Sequence, residues 1–531
     1  MIGIICMVKN EAESIFETLN PFINKGFTKI LINDTGSTDN TLNIVKEKIP
    51  SVTIFENQFI DFATNRNIAL NVAKLSFYDT SFLLFIDCEW YSKDIDKLIS
   101  FCENEQKTLC DYYNLSLIID GNINLVSRLF TINTRARYEG NIHEQLNGIC
   151  GGLVPEFFLI SKPTTKGLEK TIKRIIEYDI PYYLSVGDDL SQEQIFHFAQ
   201  SYFNIRHFDK SFELYSKITH PKLIYVSLYR IAIIYLMIDD IDNAIRYFSM
   251  AILNNKNRCE TYVMLAKIHN DYNKYDFAKI ACSCIMNVGD IFNNYDLWNY
   301  DRYIELVKGC LITKKFKEGL GILEKLPVNH ETSILRERLS RKIVILILNS
   351  PGYDEYNDKL RRHLDNFEIP YYFYQYSNED KNEEHNIFIK GEETFIPGIL
   401  TKTIKVFEMF KDYDYIIRLN ATTIIDLYKV DFDEDIRLNH DFFGYFNSCR
   451  LDVNEIYGVT QNFIDINGSI EFISGKCMIL SKIAIKKLLE SDIDYSVMDD
   501  VAISLVLGRY FKIEHFNSYG YPDSIIKTIK L

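Results

Sequence analysis

Three times within the first 90 residues an apolar run gives out into a cluster of polar side chains. Ile2–Val8 is followed by Lys9-Asn10-Glu11, Lys29–Asn33 by Asp34-Thr35-Gly36-Ser37-Thr38-Asp39, and Phe82–Asp87 ends in Asp87-Cys88-Glu89. Amphipathic stretches at Ala12–Phe22, Thr41–Lys48 and Thr64–Ala73 separate the runs, with a further apolar run at Val52–Glu56. Strand and helix in alternation predict a mostly parallel sheet covered by helices over residues 1–165. In such sheets ligands sit beyond the carboxyl ends of the strands, which is where the polar clusters fall.

Farther along, the period changes. Ala232 and Ala266 stand 34 apart, as do Ala244 and Ala278, and an interval of 12 separates Ala199 from Ser211 and Gly309 from Gly321. This spacing predicts a tetratricopeptide-like array over 185–335, in which small residues let paired helices approach while Tyr202, Tyr235, Phe248 and Phe277 fill the gaps. A fourth repeat, Tyr303–Leu326, is offset by an insertion around Asp290–Tyr300. After a charged helix at Glu331–Arg341, the run Ile343–Leu348 opens a second α/β stretch, 342–531. Its strands are expected at Tyr371–Tyr376, Tyr415–Leu419, Phe442–Tyr445 and Phe472–Ile473, and its helices over Thr401–Phe410, Ile483–Leu489 and Val501–Leu507. A chain of 531 residues exceeds what one hydrophobic core supports. The fold class expected is therefore α/β, with two Rossmann-like domains separated by an all-α helical repeat segment.

Charge and cysteine usage narrow the function classes. A net charge of -14 gives no general attraction to nucleic acid or to an anionic membrane. The short basic face Lys359–His363 reads as solvated surface. Eleven scattered cysteines with no CxxC pair suit reduced thiols and argue against a zinc cluster. The opening apolar run is too short for a signal peptide, and no uncharged run approaches the roughly 18 residues needed to cross a bilayer. A cytoplasmic protein without a transmembrane segment is expected. His197, His207 and His269 fall in the repeats at no metal-ligand spacing.

Read one at a time, the polar clusters are ambiguous. Gly36 permits a tight turn and its Ser/Thr/Asp neighbours can cap the next helix, while Asp87 and Glu89 form either an acidic turn or hard oxygen ligands for Mg²⁺ or Mn²⁺. Taken in order, Met7–Glu11, Asn33–Asp39, Phe62–Asn67 with Arg66, Asp87–Glu89, Arg128–Phe130 and Tyr138–Glu144 resemble the family 2 glycosyltransferases of the GT-A fold. The subgroup that is similar carries "KNE", "NxxR" and "YxGxxHE", and a tetratricopeptide tail on such a domain resembles the peptide S-glycosyltransferases. The resemblance implies a nucleotide-sugar donor, UDP-linked, and Mn²⁺ or Mg²⁺ as cofactor. It places Asp34 on the base, Asn10, Glu11 and Asp39 in the nucleotide pocket, and Arg66 on the diphosphate or sugar. Asp87 falls on the ribose or donor sugar, and Glu89 with Asp87 and His143 on the metal. Glu144 becomes the general base of an inverting transfer, with a structural salt bridge as its other reading. Glu89 stands where the family has a second Asp.

In the third stretch, Tyr413–Asp426, Phe472–Ser481 and Met498–Val501 resemble in order the Fringe and β-1,3-galactosyltransferase type of GT-A domain. The family's triple acid is replaced by Asn420-Ala421-Thr422, neutral groups that ligate a hard cation poorly. The resemblance implies a donor site at Asn420, Thr422, Ser474, Gly475 and Asp499 with Asp500 as base, in a domain that is either metal-independent or degenerate; an N-cap role for Asp499 or Asp500 is the other reading. The whole is expected to be a bifunctional glycosyltransferase whose glycan or peptide acceptor is held by the repeats. The alternative is a repeat scaffold flanked by inactive carbohydrate-binding domains.

Overall fold

The computed structural model describes residues 1–49, 51–92, 94–105, 109–119, 122–140, 142, 144–162, 164–286, 293–294, 296–430, 442–450, 469–511, 514–515 and 526–528. The chain divides into two compact units, 1–261 with 284–301, and 262–283 with 302–531. The helical stretch 185–335 is thereby shared between them.

The first unit starts with β1 (Ile2–Val8), α1 (Ile15–Ile23), β2 (Ile30–Asp34), α2 (Thr41–Lys48), β3 (Val52–Glu56), α3 (Phe62–Ser76) and β4 (Phe82–Ile86). There follow β5 (Trp90–Tyr91), α4 (Ile95–Asn104), β6 (Tyr112–Ile119), β7 (Asn122–Thr131), β8 (Tyr138–Glu139), β9 (Gln145–Leu146) and β10 (Cys150–Ser161). The sheet order is β3-β2-β1-β4-β7-β6-β10-β5. β3, β2, β1 and β4 run parallel, and β7 is antiparallel to β4. Alternate side chains of the parallel strands feed two cores: Ile4, Cys6, Ile30 and Leu84 on one face, Ile5, Leu31, Leu83 and Phe85 on the other. The helix expected from Ala12 starts three residues later, because the Glu11 carbonyl takes the amides of Ser14 and Ile15 in the preceding turn.

A long helical stretch comes next: α5 (Thr165–Arg174), a π-helical turn, α6 (Ile180–Val186), α7 (Gln192–Asn204), α8 (Phe208–Tyr215), α9 (Pro221–Met237), α10 (Ile241–Asn254) and α11 (Cys259–Ile268). It continues through α12 (Tyr272–Ser283), the two-residue β11 (Asn293–Asn294), α13 (Arg302–Thr313), α14 (Phe316–Leu323) and α15 (His330–Leu339). The 12-residue interval is a contact: the Ser211 hydroxyl donates to the Ala199 carbonyl at 3.0 Å. Ala232, Ala244, Ala266 and Ala278 are all fully buried. In the last pair the expectation needs correcting. A Cβ on Gly309 would meet the Tyr275 backbone at 2.7 Å, but Gly321 faces open space, and the close approach is made by Gly319 against Leu339.

The second sheet is built from β12 (Ile343–Leu348), α16 (Asp354–Leu364), β13 (Tyr371–Ser377), β14 (Lys381–Glu383), β15 (Asn386–Lys390), α17 (Gly398–Met409) and β16 (Tyr415–Asn420). β17 (Thr423–Ile425), β18 (Phe442–Arg450), β19 (Ser469–Ser481), α18 (Lys482–Leu489), α19 (Asp499–Leu507), β20 (Glu514–His515) and β21 (Ile526–Thr528) follow, with β17 and β21 pairing in a small sheet of their own. Its order is β14-β15-β13-β12-β16-β19-β18-β20. Leaving aside the β14 hairpin, the parallel strands are arranged third, second, first, fourth, with an antiparallel strand beyond the fourth, as in the first sheet. The fold is thus α/β at both ends with all-α repeats between.

Candidate active site

In both sheets the strand order reverses beside the first strand, so the crevice lies at the carboxyl ends of β1 and β4 in one and of β12 and β16 in the other. In the first, two non-glycine residues at those ends adopt left-handed backbone, Asn10 at φ 59° and Glu89 at φ 68°. Such a conformation costs of order 1–2 kcal/mol and persists only where surrounding contacts impose it.

The Asn10 contacts are dense. Its Oδ1 accepts from the amides of Thr38 (2.7 Å) and Asp39 (3.2 Å), and its own amide donates to the Ser37 hydroxyl at 2.9 Å. Glu11 donates its amide to the Thr41 hydroxyl, and its carboxylate meets Lys170 of α5 at 2.9 Å. Asp39 accepts the Thr41 amide at 3.0 Å, which ties the loop to the start of α2. Gly36, at φ 105°, allows Asp34 Oδ2 to accept the Gly36 and Ser37 amides at 3.2 and 3.0 Å. The other oxygen of Asp34, and both side-chain polar atoms of Asn33, are buried without a protein partner. Buried polar groups are seldom left so.

Asp87 and Glu89 take different partners. Asp87 Oδ2 accepts from Arg66 at 3.2 Å and Arg128 at 3.1 Å. Glu89 Oε1 accepts the Thr164 amide and hydroxyl at 2.9 and 2.8 Å, where Thr164 caps α5. A Cβ on Gly167 would lie 2.5 Å from that carboxylate, so glycine lets the first turn of α5 settle over it. Burial raises the Asp87 carboxyl, but Arg128 and Arg66 outweigh it and hold the group below its usual range. Burial and the neighbouring Arg128 push Arg66 down to about 10. Glu144 forms an ion pair with Arg66, the salt-bridge alternative, rather than standing free as a base. Arg128 also donates to the Tyr138 hydroxyl at 2.8 Å and lies over the Trp90, Phe85 and Tyr138 rings at 5.4–5.7 Å.

As held, Asp87 and Glu89 do not present a ready ligand pair for Mn²⁺ or Mg²⁺: Asp87 Oδ2 is shared by two guanidiniums and Glu89 Oε1 caps a helix. Among the described residues no three His, Cys, Asp or Glu side chains gather as a ligand set. His143, with Asn141, lies outside the described residues.

In the second crevice, Asn420 Oδ1 is buried without a partner, and Thr422 sits in the turn beside it. Arg418, 1% exposed, bonds Asp499 at 2.6 Å and the Gly475 carbonyl. Asp500 accepts the Gly475 amide at 3.0 Å, and Ser474 Oγ the Lys476 amide. Burial and Asp499 raise the Asp500 carboxyl above its usual value. Both acids thus open α19 as internal partners of β19 and β16. The expectation of Asp500 as a base standing free in the crevice does not match this arrangement. Lys402, whose side chain is fully buried, reaches the Asn349 carbonyl at 3.1 Å and pairs with Glu393.

Sequence reasoning missed Thr164, Lys170 and Lys402, and gave Asn33 and Arg128 no role. Lys170 and Thr164 reach the site from 159 and 75 residues away, distances at which no spacing rule operates.

No protein-family model matches the chain. Among solved structures, Staphylococcus aureus TarS 1-349 gives a TM-score of 0.25 at 14% identity over 46% of this chain and 88% of that one. MamA gives 0.22 at 13% identity over 34% and 94%. Such scores are too low to establish a common fold. By sequence, 154 residues are 30% identical to the SPbeta prophage-derived glycosyltransferase SunS of Bacillus subtilis (strain 168) and to the glycosyltransferase SunS of Bacillus phage SPbeta. They amount to 27% of this chain and 33% of each relative, so the chain spans about a third of the curated relatives it matches, and its similarity there is to glycosyltransferases.

Proposed function

We propose that the N-terminal α/β part is a glycosyltransferase that moves a sugar from a nucleotide-sugar donor, UDP-linked, to a glycan or protein acceptor. The observation that carries this reading is Asp34: one carboxylate oxygen is fixed by its own turn, while the other is buried and unpartnered at the carboxyl end of β2. Such an acceptor suits an imide N–H of a pyrimidine base. The similarity to SunS over 154 residues supports it. In an inverting transfer the acceptor heteroatom forms its bond to the anomeric carbon as the bond to the diphosphate oxygen breaks, and Glu144, once released from Arg66, receives the acceptor's proton. The repeats present the acceptor along their surface. We place this activity in the cytoplasm.

For the C-terminal domain, the commitment of Asp499 and Asp500 to Arg418 and Gly475 favours binding of a donor or glycan without turnover over a second transfer. The test is calorimetric titration of the full chain with a panel of nucleoside diphosphates, followed by donor hydrolysis. UDP binding that is lost in Asp34→Ala supports the reading; no binding by any member of the panel overturns it.

A further inference from the structure

The charge left on a departing diphosphate has to be met by something in the site. A divalent cation on Asp87 would lie against two buried guanidiniums, whose positive charge opposes it. What the site already holds is that guanidinium pair. Arg66 and Arg128 side chains are 11% and 10% exposed, and the Nε of each is buried and unpartnered. The Tyr138 hydroxyl braces Arg128, and the ring of Tyr138 lies beside both guanidiniums at 5.6 and 5.7 Å. Arg66 is shared between Asp87 and Glu144, so one of its contacts can be exchanged while the other stays.

Resting on the donor reading above, we propose that Arg66 and Arg128 take the donor's diphosphate directly, in place of a divalent cation, with Arg66 exchanging Glu144 for a phosphate oxygen. Guanidinium forks match phosphate in a bidentate way and remain charged throughout. As the bond between the anomeric carbon and the β-phosphate oxygen breaks, its electron pair stays on that oxygen, facing the guanidiniums. The acceptor's heteroatom bonds to the same carbon, and its proton passes to Glu144, released by the exchange. Asp87 keeps the two guanidiniums side by side.

The experiment titrates the full chain with UDP and, separately, with uridine, each in excess EDTA and with added Mn²⁺. UDP is expected to bind equally well, within about threefold, in both buffers. Arg66→Gln and Arg128→Gln are each expected to weaken UDP by tenfold or more, on the order of one lost charge-assisted contact, and to leave uridine unchanged. Unchanged uridine binding shows that the pocket of the variant is folded; Arg128→Lys, which keeps a charge but not the fork, should fall between. UDP binding that requires Mn²⁺, or glutamine variants that bind UDP like the parent, overturns the proposal while leaving the donor reading intact. Failure of both UDP and uridine to bind in either buffer overturns the donor reading and this proposal with it.

Discussion

Asp34 gives one oxygen to its own turn and leaves the other unmatched, so truncating it removes the turn's acceptor together with the unmatched one. Asp34→Ala should weaken UDP by about 10- to 100-fold, the worth of a hydrogen bond to a charged group, read by calorimetry. In the second crevice Arg418→Met would leave Asp499 buried and unpaired. The expected cost is about 3–5 kcal/mol, measured as a fall in the urea midpoint of that unit's transition, and the double variant with Asp499→Leu should recover much of it. A base acting freely in a crevice would show no such rescue. The individual residues were unevenly legible. Asn10, Asp34 and Asp87 announce themselves because each lies at or just past the end of an apolar strand, a local pattern. Arg128 does not: it meets Asp87 only because β7 lies antiparallel beside β4, a pairing across 41 residues. The Arg418–Asp499 pair closes over 81 residues and is equally silent in the sequence. A reading that assigns the acids before knowing where the arginines fall is bound to free carboxylates that the fold has already paired.

The helices can be tested through their small residues. Gly309→Ala drives a methyl into the Tyr275 backbone and should cost about 1–3 kcal/mol, whereas Gly321→Ala meets nothing within 4 Å and should stabilise α14 by about 0.5–1 kcal/mol; thermal melts of the two variants should move in opposite directions. Periodicity made both glycines equivalent, since spacing fixes which residues recur along the chain but not which face a neighbouring helix. His197 on α7 supplies a pH test. Burial lowers its pKa below the usual value, so the unfolded chain binds its proton first, from about pH 6.5 downward. The stability that His197 contributes is complete above that pH and is lost as the pH falls through the lowered folded value. His197→Gln should flatten this part of the stability profile, as followed by denaturant melts in steps between pH 7.5 and pH 5. The strands and α2 could be read off because alternating or continuous apolar runs are local. The late start of α1 could not, being set by a turn around Glu11.

Over the whole molecule, the same strand order is used twice, which puts a crevice at Asn10 and Glu89 in one sheet and at Asn349 and Asn420 in the other. The sequence showed two α/β stretches, but not that the first is finished by residues from within the helical region. β11 pairs with β7 through Asn293 and Ile123, and the segment is fastened by the Glu260 carboxylate, which accepts from the Asn294 amide and, at 2.9 Å, from the buried Trp298 indole. Trp298→Ala should cost the first unit about 3–5 kcal/mol and speed hydrogen exchange at the Ile123 amide. Synthesis from the amino end has a consequence here. Residues 262–283 leave the ribosome before the 284–301 that complete the first unit, yet they belong to the second. A newly made chain therefore has all the residues of its first unit only after part of its second has been translated.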